Sequence, residues 1–224
     1  MNEAEAARIL ELLILEYGLP SSPRSFLQFE NPFQILVLTI LSAQTTDKQV
    51  NSIRDELFSR YPSPAELARA DQSDLEEIIR SCGYFHAKAR YLIESARALV
   101  ERFEGRVPRD MDSLVSLPGV GRKTANIVLN HGFGIDEGIA VDTHVRRLAR
   151  RLGLTDESDP DRIEQDLVRI FPRSDWGKIN YLLIMHGRHT CTAKKPMCSS
   201  CPLTGLCRYY REEFEREKGE GKQD

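Results

Sequence analysis

Four of the five cysteines crowd one stretch: Cys191, Cys198, Cys201 and Cys207, a C-x6-C-x2-C-x5-C pattern. Four thiolates converging from one loop repel each other unless a metal centre absorbs their charge. Zinc and iron–sulfur clusters are both held by four cysteines. Zinc ribbons bring two short C-x2-C knuckles from separate places. Here three unequal spacings wrap a single loop, a shape suited to a larger object such as a cubane cluster. Disulfides would be another use for so many thiols, but no basic-then-apolar leader opens the chain, and thiols inside cells stay reduced. Four unrelated buried cysteines are the bland alternative, and the clustering argues against it. Cys82, remote from the others, reads as a small buried apolar residue.

A second group of residues surrounds an amine. Leu117-Pro118-Gly119-Val120-Gly121-Arg122-Lys123-Thr124-Ala125 joins an apolar helix end to a new helix through a Pro-Gly-x-Gly turn, a helix-hairpin-helix. Its glycines permit left-handed backbone and close approach of a phosphate. The N–H groups that open the next helix would point at that anion. An ordinary tight connection uses the same turn residues, so Lys123 separates the two readings. In the first turn it meets the positive end of the helix dipole, which together with a partly dry cleft should lower its pKa and give a usable nucleophile. The alternative is an exposed lysine with its head in water. Farther on, a Gly-rich run from Gly132 to Gly138 leads to Asp142, directly before a basic helix. Aspartate there is a favoured N-cap. A capping carboxylate is also rigidly placed, as charge stabilisation or general-base work requires.

The frame that must hold these groups is an ordinary globular one: 224 residues, 41% hydrophobic and 29% charged, enough for one large domain or two small ones. The longest apolar run, Ile35 to Leu41, is far too short to span a bilayer. No membrane segment and no targeting segment are expected, and a cytoplasmic protein follows. A net charge of −3 argues against a polyanionic partner until its distribution is read. Residues 119–151 hold six Lys/Arg against three acids, and residues 186–211 hold five against none. A polyanion responds to the local field of a cleft rather than to the total. Arg146, Arg147, Arg150 and Arg151 alone would read as a solvated helix face. Two basic segments that also carry the unusual motifs point to nucleic acid.

Helical periodicity runs almost throughout, so the expected fold class is all-α. Met1–Tyr17 stops at Gly18-Leu19-Pro20, and Pro32 opens a helix through Ile35, Leu36, Leu38 and Leu41. One segment from Asp47 carries Val50, Ile53, Leu57 and Phe58, closed by Tyr61-Pro62. Ser63-Pro64 opens a short helix, followed by Asp71–Arg80 and the long Phe85–Phe103. Then come Met111–Leu117, Arg122–His131, Thr143–Leu152, Pro160–Phe171 and Trp176–His189. No repeat is found. The charged segment from about Glu212 reads as a disordered tail.

Taken together, LPGVGRKTAN, the Gly-rich run to Val141-Asp142-Thr143-His144 and the cysteine array resemble the endonuclease III family of helix-hairpin-helix DNA glycosylases. The similarity runs from about residue 2 to residue 211 and includes Ile40 to Gln44 and Met185 to Cys191. The resemblance implies two helical domains flanking a cleft. Residues 25–135 would form a six-helix domain with the helix-hairpin-helix; residues 1–24 and 136–211 would form a discontinuous domain holding a [4Fe–4S] cluster, with 212–224 as the tail. The implied activity is that of a bifunctional DNA glycosylase/AP lyase of base excision repair. It would remove oxidised or damaged pyrimidines from duplex DNA and cut the strand by β-elimination through a lysine Schiff base. Lys123 matches the family's nucleophile and Asp142 its catalytic carboxylate. Gln44 matches the polar wedge that enters the space left in the duplex. Tyr84 stands at the opposing wedge position, where relatives often carry leucine, and an aromatic there can stack on bases. Gly119, Gly121 and Arg122 would meet DNA at the hairpin. A structural cluster on Cys191, Cys198, Cys201 and Cys207 would fold a loop that offers Lys194 and Lys195 to phosphates. A monomer acting on double-stranded DNA with damaged bases or abasic sites, associated with the nucleoid, completes the expectation.

Other classes remain as alternatives: a non-catalytic DNA-damage-binding protein, a zinc-stabilised DNA binder, or a mismatch-specific uracil/thymine glycosylase. Pure binding needs neither Lys123 nor Asp142. Mismatch-specific relatives typically lack the lysine, and the adenine-specific relative carries an extra C-terminal domain where this chain stops soon after Cys207.

Overall fold

A computed structural model describes residues 2–19 and 25–214. Every regular element among them is helical. In chain order the α-helices are α1 (Glu3–Tyr17), α2 (Pro32–Ser42), α3 (Asp47–Ser52), α4 (Arg54–Arg60), α5 (Pro64–Ala68), α6 (Gln72–Ile79), α7 (Phe85–Phe103), α8 (Met111–Val115), α9 (Arg122–Ile127), α10 (Thr143–Leu152), α11 (Pro160–Ile170) and α12 (Trp176–His189). The chain divides into two units, Ser25–Glu137 and a second made of Met1–Arg24 with Gly138–Asp224. Among the described residues no helix is long and apolar enough to cross a membrane.

Helices start where the sequence supplies caps. Asn2 and Glu5 form a reciprocal capping box on α1, each side chain accepting the other's backbone N–H at 2.9 and 3.0 Å. Asn31 caps α2 with Pro32 at its first position, where the missing N–H costs nothing. In Ser25–Glu137, α2 is buried from Phe33 through Leu41 and so packs on all sides. Around it lie Leu57, Leu75, Ile79, Leu92, Leu99, Leu114 and Val128, all at most 1% exposed. The other unit has its own core, in which Ile9 and Leu13 of α1 join Val145 and Leu148 of α10, Ile163 and Leu167 of α11, and Leu182 and Leu183 of α12. Each such side chain contributes about 1.5–3 kcal/mol by leaving water.

Three elements depart from the sequence pattern. The single helix expected from Asp47 breaks at Ile53 into α3 and α4. Asn51, just before the break, holds the incoming chain: its Nδ2 donates to Phe26 O and its Oδ1 accepts from Gln28 N, both at 2.9 Å. The Arg122–His131 helix relaxes after Ile127 into a π-helical turn, Val128–Gly132, which ends as Gly134 N donates to Asn130 O and Ile135 N to Leu129 O. The expected tail is still helical at its start, through a π-turn Tyr210–Phe214. Its residues 215–224 lie outside the described residues.

Candidate active site and cysteine loop

The hairpin between α8 and α9 is built as its sequence demands, with a division of labour between its glycines. Gly119 has φ +76°, and a Cβ there would stand 2.8 Å from Tyr91 Cβ on α7. On its Cα side, Gly119 is therefore in close contact with Tyr91. Gly121 is extended (φ −94°) and would meet nothing within 4 Å, so its open side is the one a phosphate can reach. The turn is tied back to α7 by Ser95 Oγ, which donates to Pro118 O at 2.5 Å. Arg122 and Lys123 follow as the first two residues of α9, and both are exposed. Since Lys123 stands in solvent, the partly dry surroundings expected for it are not supplied by the protein's own packing.

In the same unit, Gln44 and Tyr84 occupy two turns with left-handed backbone, φ +53° and +59°. Tyr84 opens α7 and is 69% exposed; Gln44 follows the end of α2 and is exposed too. The turns are neighbours, since a Cβ on Gly83 would stand 3.4 Å from Gln44 O.

In the other unit, Asp142 caps α10: its Oδ1 accepts from Val145 N at 2.8 Å, and the residue is half-buried. Two residues on, burial above all pulls the His144 imidazole below its ordinary range, with Asp142 acting in the opposite sense. The arginines of α10 then divide into two kinds. Arg146 and Arg150 are exposed, whereas Arg147 and Arg151 are partly buried and reach toward the cysteines. Arg147 Nη2 donates to Gly187 O (2.9 Å) and Cys191 O (3.0 Å). Arg151 donates to Cys191 Sγ (3.2 Å), Thr192 O (2.8 Å) and Ala193 O (3.0 Å), and its Cζ lies 4.6 Å from the Tyr209 ring centroid. All four, with Arg208 and Thr143, line a polar cavity of about 520 Å³.

Cys191, Cys198, Cys201 and Cys207 line one cavity, closed on its apolar side by Leu148, Leu152, Met197 and Tyr209. Leu203 N donates to Cys201 Sγ at 3.4 Å. Burial pushes the Cys201 thiol up to about 11 and holds His186, 3.5 Å from that sulfur, down to about 4. Lys194 and Lys195 are exposed on the loop between the first two cysteines, where Thr192 Oγ1 bridges to both the N–H and the carbonyl of Lys195. Cys82 is 1% exposed in the Ser25–Glu137 core, as a buried apolar residue should be.

Residues 37–173 match the family described as HhH-GPD superfamily base excision DNA repair protein. Endonuclease III of Synechocystis sp. is 50% identical over 88% of this chain and 89% of its own length. The chain belongs to the endonuclease III family. Two solved structures of that family are 37% identical to it and cover 96% of this chain and 99% of their own. They are a trapped endonuclease III–DNA covalent intermediate, at TM-score 0.88, and a non-covalent endonuclease III–DNA complex, at 0.89.

Among the residues picked out by resemblance to endonuclease III, the structure brings Gln44 together with the turn of Tyr84, and Gly119 through Lys123 into one hairpin. It gathers the four cysteines around one cavity. Lys123 and Asp142 belong to different units. Sequence reasoning missed the roles of Arg147 and Arg151, which it grouped with Arg146 and Arg150 as one basic face. The available signal was their i,i+4 spacing beside the apolar stripe Val145, Leu148, Leu152.

Proposed function

We propose that the chain removes damaged pyrimidines from duplex DNA and then cuts the strand through Lys123. The chain is a DNA glycosylase with AP lyase activity in base excision repair. One observation carries the assignment of the nucleophile: an exposed primary amine on the second residue of the helix that leaves the Pro-Gly-x-Gly hairpin, in a chain of this family. The trapped covalent intermediate of a relative supports a covalent route.

In this reading Gly121 and the start of α9 receive a backbone phosphate, and the damaged nucleotide is extruded, which costs least for a poorly stacked base. Bound DNA supplies the desolvation that Lys123 lacks in the free protein. The Lys123 amine attacks C1′ and the base leaves with the bonding electrons and a proton. Asp142 accepts a proton from the ammonium and stabilises positive charge on the sugar. Ring opening gives an iminium that acidifies C2′–H; loss of that proton expels the 3′ phosphate. Gln44 and Tyr84 fill the space left behind.

The cysteine cavity fits a [4Fe–4S] cluster. Its four thiols, apolar wall and N–H donors to sulfur are the surroundings such clusters use. Cys191, Cys198, Cys201 and Cys207 would hold the cluster, which when bound supplies a fixed fold for the loop. That loop then presents Lys194 and Lys195 to phosphates of cytoplasmic, nucleoid DNA.

Borohydride with an abasic-site duplex tests the proposal. It should trap a covalent adduct with the native chain, and Lys123→Ala should abolish trapping while DNA binding stays. Equal trapping by the variant would assign the chemistry to another amine.

A further inference from the structure

Lys88 is a lysine in the wrong place by every local rule. It is the fourth residue of α7, near the positive end of that helix, and only 5% exposed. Its Nζ makes two bonds, both at 2.8 Å and both to neutral oxygens: Leu41 O and Thr45 Oγ1. Burial accordingly pushes its pKa below the ordinary lysine value. An apolar residue of the same length would avoid that desolvation cost.

What the ammonium holds is geometry. Leu41 O belongs to the last turn of α2, whose carbonyls have no intrahelical partner. Thr45 directly follows Gln44. The backbone N–H of Lys88 itself donates to Tyr84 O at 3.1 Å. One residue thus joins the end of α2, the turn carrying Gln44 and the residue that opens α7. A second brace lies beside it, where Gln49 Nε2 donates to Ser81 Oγ at 2.7 Å. Gln44 and Tyr84 are two of the three non-glycine residues with positive φ among those described. Such backbone is unfavourable for residues with a Cβ and persists only where its surroundings over-determine it.

We propose that Lys88 is a positioning residue for base extrusion, which locks the Gln44 and Tyr84 turns in one relative placement so that both enter the duplex together. The inference rests on the reading of Gln44 and Tyr84 as wedge residues. Ordering the two turns before DNA arrives removes that ordering from the cost of extrusion. An abasic nucleotide has no base to unstack, so excision should depend on the lock more than cleavage at an abasic site does.

The test uses the full-length protein and duplexes with 2-aminopurine opposite either an oxidised thymine or an abasic site. Lys88→Met keeps length and removes the donors. It should lower single-turnover excision by about 10- to 100-fold and reduce 2-aminopurine emission at saturating protein. Abasic-site cleavage should fall several-fold less, and affinity for undamaged duplex should not change. Thr45→Val should act in the same direction with a smaller effect, and Thr45→Ser should restore activity; this pair decides the matter if Lys88→Met does not fold. Excision and abasic cleavage falling together with the melting temperature would overturn the inference in favour of plain stability. Emission lowered by Gln44→Ala and Tyr84→Ala but unchanged in Lys88→Met and Thr45→Val would overturn it while leaving the wedges intact. Unchanged emission in all four would remove the wedge reading and this inference with it, leaving Lys123 as nucleophile.

Discussion

In the unit Ser25–Glu137, the turns of Gln44 and Tyr84 and the hairpin of Lys123 are fixed by protein alone: left-handed backbone, a buried lysine, and a glycine pressed against Tyr91. In the unit that contains Gly138–Asp224, the loop from Cys191 to Cys207 is held differently. Arg147 and Arg151 reach over from α10 to its carbonyls and to Cys191 Sγ, and four thiols face a shared cavity. The first arrangement is closed by contacts within the chain, and the second, on the proposed reading, would be completed by a cluster held on the four thiols. On the proposed roles, groups that meet the reacting nucleotide would be pre-set by the chain, whereas lysines that meet phosphates could depend on a bound group, because sequence-independent recognition tolerates looser placement.

Asp142 offers the sharpest way to break this contrast, since it lies in the second unit yet is held by its own helix. Asp142→Asn keeps a cap oxygen, so the melting curve should hardly move. Base excision should fall by about 10²- to 10⁴-fold. Wild-type excision by the variant would reduce Asp142 to a cap.

Loss of the proposed cluster should affect the two regions differently. Purified protein should be brown, and loss of any one of Cys191, Cys198, Cys201 or Cys207 should release or destabilise the cluster and weaken DNA binding. Hydrogen exchange should rise in residues 190–207 while the hairpin of Lys123 keeps its protection. Equal loosening of both regions would end the comparison.

Within the self-supporting unit, Gly119→Ala meets both positive φ and the Tyr91 side chain, and should cost about 2–4 kcal/mol. Gly134→Ala meets positive φ alone, with nothing within 4 Å, and should cost about 1–2 kcal/mol. Denaturant unfolding measures both. Equal costs would mean that the packing against Tyr91 relaxes freely.

The smallest effect belongs to the loop lysines. Neutralising Lys194 and Lys195 together should weaken binding to damaged and undamaged duplexes alike. It should flatten the salt dependence of binding by about 0.9 for each phosphate that is no longer neutralised. An unchanged slope would take this loop off the DNA.

The helices were legible because their apolar residues recur at 3.6 spacing and their start signals are ordinary ones: Pro32 and Asp142 mark helix starts that the structure keeps. The break at Ile53 was not, since it coincides with the bonds Asn51 makes to Phe26 and Gln28, 25 and 23 residues back, and no local pattern records those. The cysteines declared themselves by spacing, but the arginines that hold their loop did not, because charge alone does not tell a solvated guanidinium from one that donates to carbonyls. Lys88 was hidden by the habit of placing lysines in water. Its position was nonetheless readable: it lies on the same face of α7 as Leu92, Ser95 and Leu99, all buried.

The central claim, that the reacting amine is Lys123, is most directly tested by locating the bond it forms. The borohydride-trapped adduct with an abasic-site duplex should be digested and the modified peptide mapped by mass spectrometry. The account predicts a deoxyribose remnant on Lys123, in the peptide that follows Arg122. A remnant on Lys88, on Lys194 or Lys195, or on the N-terminal amine would contradict it.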